Sequence, residues 1–276
     1  SFVSIYYFDY VEPQFCDTLL FTHGNCADGF VSGLIVSDKY NIPLENTIEC
    51  LHTENFQEIA KRVSLEDRLK NGDITKIIFT DYFIKEEDFE YFIDLICDYD
   101  FNLAVVDHHV TNQALCNRLV DAIELMALKK YRLADIARVT DVNESRVFDI
   151  CFNTKYSGAL LCYFKFVLGL SNSEIDEETL IHPLLKQVPD FIRYIHENDT
   201  WTFTDEDSKP FGVAFNALFR SKRLIESATL DEDGRTIFSV KNYIKAINHA
   251  FPKSEQCSET AFGQRLVKEI VNYGKR

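Results

Sequence analysis

The chain has 276 residues, is 46% hydrophobic and carries a formal net charge of −15. That length suits one large domain or two modest ones, each with a buried core. The acidity disfavours tight binding to long duplex DNA or to long RNA, whereas a small anion held by metal ions stays compatible, because bound cations dominate their local field.

No apolar run approaches the roughly 18–20 residues of a membrane span. The opening stretch SFVSIYYFDYVEPQF has acids and no basic start, so a secretory signal is not expected. Eight cysteines are scattered without a CxxC pair, which fits free thiols and an intracellular, cytoplasmic setting.

In chain order, DTLLFTH (17–23) reads as a short strand ending at His23 and ADGFVSGLIVSDKYN (27–41) as a helix. TIECLHT (47–53) reads as a second strand and FQEIAKRVSLEDRLK (56–70) as a helix. KIIFTDY (76–82) is a third strand, ending at Asp81, followed by an acidic amphipathic helix over 85–100. FNLAVVDHH (101–109) is a fourth strand, ending at Asp107. Strands alternating with helices predict an α/β fold with a mostly parallel sheet.

Residues 113–147 interrupt the alternation and predict a helical insertion. After FDICFNTKYSG come an apolar helix over 159–170, a polar stretch over 171–179 and a helix in HPLLKQVPDFIRYIHEND. The expected division is a first domain over 1–205 and a smaller domain or cap over 206–276, with helices near 239–251 and 259–273.

Open α/β sheets place ligands beyond the carboxyl ends of their strands. His23, Asp81 and the triplet Asp107-His108-His109 all sit at such ends, which argues for one shared site. Gly24 and Gly29 let the loop between His23 and the first helix turn tightly, and His23, Cys26 and Asp28 there are all metal-ligand types. Taken singly, each has a plain alternative: His23 as a structural histidine, Asp28 as a turn residue, Asp81 as a helix cap. Three adjacent ligand-type residues ending a buried strand are harder to explain, since they are costly to desolvate without a cation or a network. His196, Glu197 and Asp199 in HENDTW offer further groups. Imidazoles with several carboxylates suit Mn²⁺, Mg²⁺ or Fe²⁺ better than a structural zinc, and paired ions of this kind clamp phosphoryl groups in transfer.

The pieces THGNCADG, TDY, VVDHH, YSGALL and HENDTW, in this order, resemble the DHH phosphoesterase superfamily across roughly 17–201. The resemblance implies an N-terminal parallel-sheet domain, a smaller C-terminal substrate domain and two Mn²⁺ ions, with Mg²⁺ as a substitute. It implies that His23 and Asp81 hold the first ion and that Asp28, Asp81, His108 and Asp199 hold the second, with Asp81 bridging. His109 would face the phosphate, Asp107 would orient the histidines, Ser157 and Gly158 would lie on the substrate, and a metal-activated hydroxide would attack.

Two departures stand out. Cys26 occupies the place of the first aspartate of a D-x-D pair, so it is a candidate ligand. The Gly-rich GGGH-type substrate loop is absent, its nearest equivalent being SETAFG (258–263).

The expected activity is hydrolysis of short oligonucleotides or (cyclic) dinucleotides. Trp201 is the best candidate for base stacking, and Arg220, Lys222 and Arg223 form the densest basic patch, suited to one or two phosphates. The alternatives are a pyrophosphatase or polyphosphatase of the same superfamily and a decayed nucleotide binder. LADIARVTDVNESRV has the look of a helix-turn-helix, but the candidate recognition stretch NESRVFDI holds a single Arg against two acids. Oligomeric state is not readable from the sequence.

Overall fold

The computed structural model describes residues 16–128, 146–220, 239–250 and 264–276. Residues 129–145, Lys222, Arg223, Cys257 and the SETAFG segment lie outside these, and with them most of the helix-turn-helix-like stretch. The sheet has five strands: β1 (Thr18–His23), β2 (Thr47–Cys50), β3 (Lys76–Thr80), β4 (Asn102–Asp107) and β5 (Phe148–Phe152). They run in the order β2-β1-β3-β4-β5, and every pairing is parallel. This is a doubly wound α/β sheet, with its topological switch between β1 and β3.

Successive strand residues face opposite sides of the sheet, and each side has its own helical layer. Leu20, Ile78 and Val106 face a layer that includes α1 (Ala27–Tyr40), α6 (Gly158–Cys162) and α9 (Asp190–Thr200). Phe21, Phe79 and Val105 face α2 (Phe56–Arg62), α3 (Leu65–Lys70), α4 (Phe89–Asp98) and α5 (Gln113–Leu128). The helices Val240–Ala250 and Gln264–Gly274, expected from the sequence as part of a domain or cap beyond residue 206, bury Tyr243, Ile244, Leu266 and Ile270 in the same core as α1 and β1. Among the described residues, no helix is long and apolar enough to cross a membrane.

Several elements differ from their expected form. FDICF, not expected as a strand, is β5, an edge strand whose residues are mostly half-buried. The helix expected over 56–70 is two helices, because Ser64 turns into the left-handed region at φ 51°. The polar stretch 171–179 is partly helical: Ser171 and Glu174 form a capping box on α7 (Asn172–Asp176), and α8 (Glu178–Leu185) follows. The helix expected over 182–199 is interrupted at Pro189, which sits at the N-cap of α9.

Phe79 anchors the second core layer. It stacks on Phe21 at 5.1 Å and meets Phe83 and Phe92 edge-on at 5.4 and 5.5 Å. It is fully buried, so Phe79→Ala is expected to lower unfolding free energy by about 3–5 kcal/mol. A urea-unfolding midpoint equal to that of the wild type would show that this aromatic layer does not support the sheet.

Candidate metal centre

Strand register brings the ligand-type residues into one row. Cys50 pairs with His23, Thr22 with Thr80, Thr80 with Val106 and Asp107 with Phe152. The next residues along β1 and β3, His23 and Asp81, therefore meet across the topological switch, beside Asp107. Their crowding at this point follows from three apolar strands ending at the same height.

Asp81 is the centre. It is 1% exposed and sits just past β3 in the left-handed region at φ 54°. Non-glycine residues rarely hold that conformation, at a cost of about 1–3 kcal/mol, and Asp is among the side chains that tolerate it. Its backbone N–H donates to the Val106 carbonyl at 2.9 Å, which fixes the turn. Its carboxylate lies 3.0 Å from His108 Nε2, 3.6 Å from His23 Nδ1 and 3.8 Å from His109 Nδ1. Burial would raise its pKa, but the surrounding imidazoles outweigh burial and hold the carboxyl well below its ordinary range.

Two glycines make room for this packing. A Cβ on Gly158 would lie 2.7 Å from the Asp81 Cβ, and one on Gly29 would lie 2.1 Å from the His23 carbonyl oxygen. Each position admits a hydrogen and nothing larger without displacing the centre.

Asp28, in the first turn of α1, is buried and accepts backbone N–H bonds from Gly158 at 2.6 Å and Ala159 at 2.9 Å. It also lies 3.4 Å from His108 Nε2, and Asp199 lies 3.7 Å from the same nitrogen. Burial first, then the neighbouring carboxylates, raises the pKa of Asp28. Asp199, raised chiefly by burial, sits inside the last turn of α9. Burial would lower the His108 pKa, but Asp81, Asp28 and Asp199 together push it up to about 10.

Asp107 contacts both histidines that follow it. It is fully buried and accepts from the backbone N–H of His108 at 2.8 Å and from Asn112 Nδ2 at 2.7 Å. It also lies 2.8 Å from His109 Nδ1, which fixes that ring. Burial opposes protonation of His109, yet Asp107 and Asp81 outweigh it and raise its pKa.

Cys26 is the N-cap of α1, and its Sγ lies 3.8 Å from Asp81 Oδ2. Burial, then Asp81 and Asp28, raises the thiol's pKa, so without a cation it is a neutral thiol. A bound ion reverses that balance.

Not every expected residue faces the centre's open side. Ser157 is buried and its hydroxyl caps α6, while Gly158 packs against Asp81. Gly158 also donates its N–H to Asp28, so this turn holds one candidate ligand directly. Glu197 turns away to bond the Asp205 backbone at 3.1 Å and to meet Arg193 at 3.5 Å. His196 accepts from the Ser157 N–H at 3.1 Å, and burial pushes its pKa down to about 4.

Trp201 is 79% exposed next to Asp199, with Phe203 edge-on at 5.7 Å. Tyr156, Phe164, Phe211 and Phe215 are core. Arg220 reaches back to the loop after β1, where Nη2 donates to Asn25 Oδ1 at 3.3 Å, while its buried Nε has no partner. His52, two residues past the end of β2, was not singled out from the sequence. Its ring lies 4.1 Å from that of His23 and 5.0 Å from that of His109.

The donor atoms fit divalent cations. In each of the sets His23-Cys26-Asp81, Asp81-His108-His109 and Asp28-His108-Asp199, the ligand atoms lie within 4.8 Å of one another. His23 Nδ1 is buried with no hydrogen-bond partner, its 3.6 Å contact to Asp81 being too long for one. Three carboxylates crowded around one imidazole make a costly arrangement that cations would relieve. No protein-family model, curated protein or solved structure matches this chain.

Asp81→Asn tests the centre without breaking the turn, because Asn also tolerates the left-handed region. The expected result is a folded protein with a near-complete loss of Mn²⁺ binding by calorimetric titration. Wild-type affinity in this variant would remove Asp81 from the site.

Proposed function

We propose that the chain is an intracellular, metal-dependent phosphodiesterase of the DHH phosphoesterase type, acting on short oligonucleotides or (cyclic) dinucleotides. The observation that carries this reading is Asp81: a buried carboxylate at the sheet's switch point, shared by two sets of imidazole, thiol and carboxylate ligands. In the proposed architecture, residues 1–205 form the phosphoesterase domain and the helices beyond 206 cap it.

His23, Asp28, Asp81, His108 and Asp199 would hold two Mn²⁺ ions, or Mg²⁺ in their place, with Cys26 as a candidate ligand. Such ions supply a Lewis acid for the phosphoryl oxygens and a water of lowered pKa. His109 is 26% exposed and is oriented by Asp107, so it is placed to donate a proton to a phosphate or leaving oxygen. Trp201 offers a base an exposed stacking face, and Arg220 stands beside the loop carrying Cys26 with donor capacity to spare. Arg220 and one or two rings suit a substrate a few nucleotides long, whereas the chain's acidity opposes a long polyanion.

A second reading rests on Cys26: a thiol in place of a carboxylate favours a nucleotide binder without turnover. Pyrophosphatase activity finds less support, because pyrophosphate offers Trp201 nothing to stack.

The deciding experiment is turnover with Mn²⁺ on dinucleotides, cyclic dinucleotides, single strands of graded length and pyrophosphate, with EDTA as control. Hydrolysis is expected to need the metal and kcat/KM to fall as chain length grows. Tight dinucleotide binding without hydrolysis would establish the binder instead, and a preference for pyrophosphate would overturn the substrate assignment.

Two variants examine recognition. Arg220→Ala is expected to raise KM more than it lowers kcat. Trp201→Ala should cost a dinucleotide about 1–3 kcal/mol of binding and an abasic analogue far less. Equal losses for the two substrates would rule out stacking at Trp201.

A further inference from the structure

His52, His23 and His109 come from the ends of three different strands, β2, β1 and β4, yet their rings converge. The centroid separations are 4.1 Å for His23 and His52, 5.0 Å for His52 and His109, and 5.6 Å for His23 and His109. One nitrogen from each ring lies within 4.8 Å of the others. The cluster opens to solvent on the His52 side, since His52 is exposed while His23 and His109 are partly buried. The phosphodiesterase reading gives His52 no task.

We infer that His23, His52 and His109 form a further cation site, an all-imidazole set suited to Zn²⁺, on the open side of the carboxylate centre. The donor chemistry sets the preference. Neutral imidazoles favour Zn²⁺ and its borderline neighbours, whereas the carboxylates of Asp28, Asp81 and Asp199 favour Mn²⁺ or Mg²⁺. Three histidines with a fourth position open to water match a known zinc coordination pattern. Zn–N bonds of roughly 2.0–2.1 Å place tetrahedral ligand atoms about 3.4 Å apart, and the three nitrogens already lie within 4.8 Å of one another, so a small closing movement completes the set. His52 is exposed, so its side chain has room to turn inward toward the other two rings.

The site shares His23 with the carboxylate centre and occupies His109. Its regulatory consequence rests on the proposed function: zinc here removes the group placed to face the phosphate and competes for a ligand of the first ion. Zinc bound there would then act as an inhibitor rather than as an activator.

The test is Zn²⁺ binding by equilibrium dialysis to the full chain, to His52→Ala, to His52→Gln and to Asp199→Asn, with melting curves confirming that each is folded. Replacing a residue behind a ligand typically weakens metal affinity roughly 10–100-fold, so loss of a ligand is expected to exceed that range. Both His52 variants should lose one tight zinc ion and keep their Mn²⁺ binding, while Asp199→Asn should keep that zinc ion and lose Mn²⁺ affinity. Two variants at an exposed position guard against a folding artefact at either one. Zinc binding as tight in the His52 variants as in the wild type would overturn the inference, and so would loss of the same ion in Asp199→Asn. Because the readout is binding, absence of turnover on every substrate would sink the phosphodiesterase reading and leave the zinc result standing. Failure of the zinc arm alone would leave that reading intact.

Discussion

The structure turns on the charge balance at Asp81. A carboxylate that is 1% exposed, in a backbone conformation unfavourable to it, is held charged by imidazoles from β1 and from the segment after β4. Each of those imidazoles depends in turn on other features. His108 is positioned by Asp28 and Asp199 as well as by Asp81, and His109 by Asp107. Asp107 depends on Asn112 and on the backbone of the loop it terminates. The room for Asp81 depends on Gly158, and the approach of α1 to His23 depends on Gly29. Removing any one of these contacts leaves a buried polar group without its partner, which costs more than the contact itself contributes.

The parallel sheet explains why the cluster forms where it does. At the switch point the crossovers leave β1 and β3 in opposite directions, so neither crossover runs over the gap beyond their ends. Polar residues from several strands can converge there without being buried under a connection. The ligands from α1 and α9 enter from one side of the sheet, packed in the same core as Leu20 and Ile78. Distant segments of the chain therefore meet at one point: Arg220 touches Asn25, and Asp28 accepts from the turn that opens α6.

Much of this was legible in the sequence, for a physical reason. LLFT, KIIFT and LAVV are apolar runs bounded by polar residues, and a buried parallel strand has to read that way. Polar residues that follow such runs, His23, Asp81 and Asp107, are expected at the carboxyl ends of the strands, on one edge of the sheet. FDICF was not legible, because an edge strand with half-buried residues carries a weaker pattern than a central one. The short helix after Ser171 carries its signal in the capping-box spacing of Ser171 and Glu174. His52 stands alone past a four-residue strand of mixed polarity, and only the pairing of Cys50 with His23 places it beside the other imidazoles. Ser157 read as a substrate contact because of its motif, while its burial is a property of tertiary packing that no local pattern shows.

The proposed chemistry depends on cations at Asp81. The most direct measurement is an anomalous-difference map from a crystal soaked in Mn²⁺. Two peaks are predicted, both within coordination distance of the Asp81 carboxylate, one on the His23 side and one between His108, Asp28 and Asp199. A fully soaked crystal with no peak against Asp81, or with peaks only elsewhere on the molecule, would contradict it.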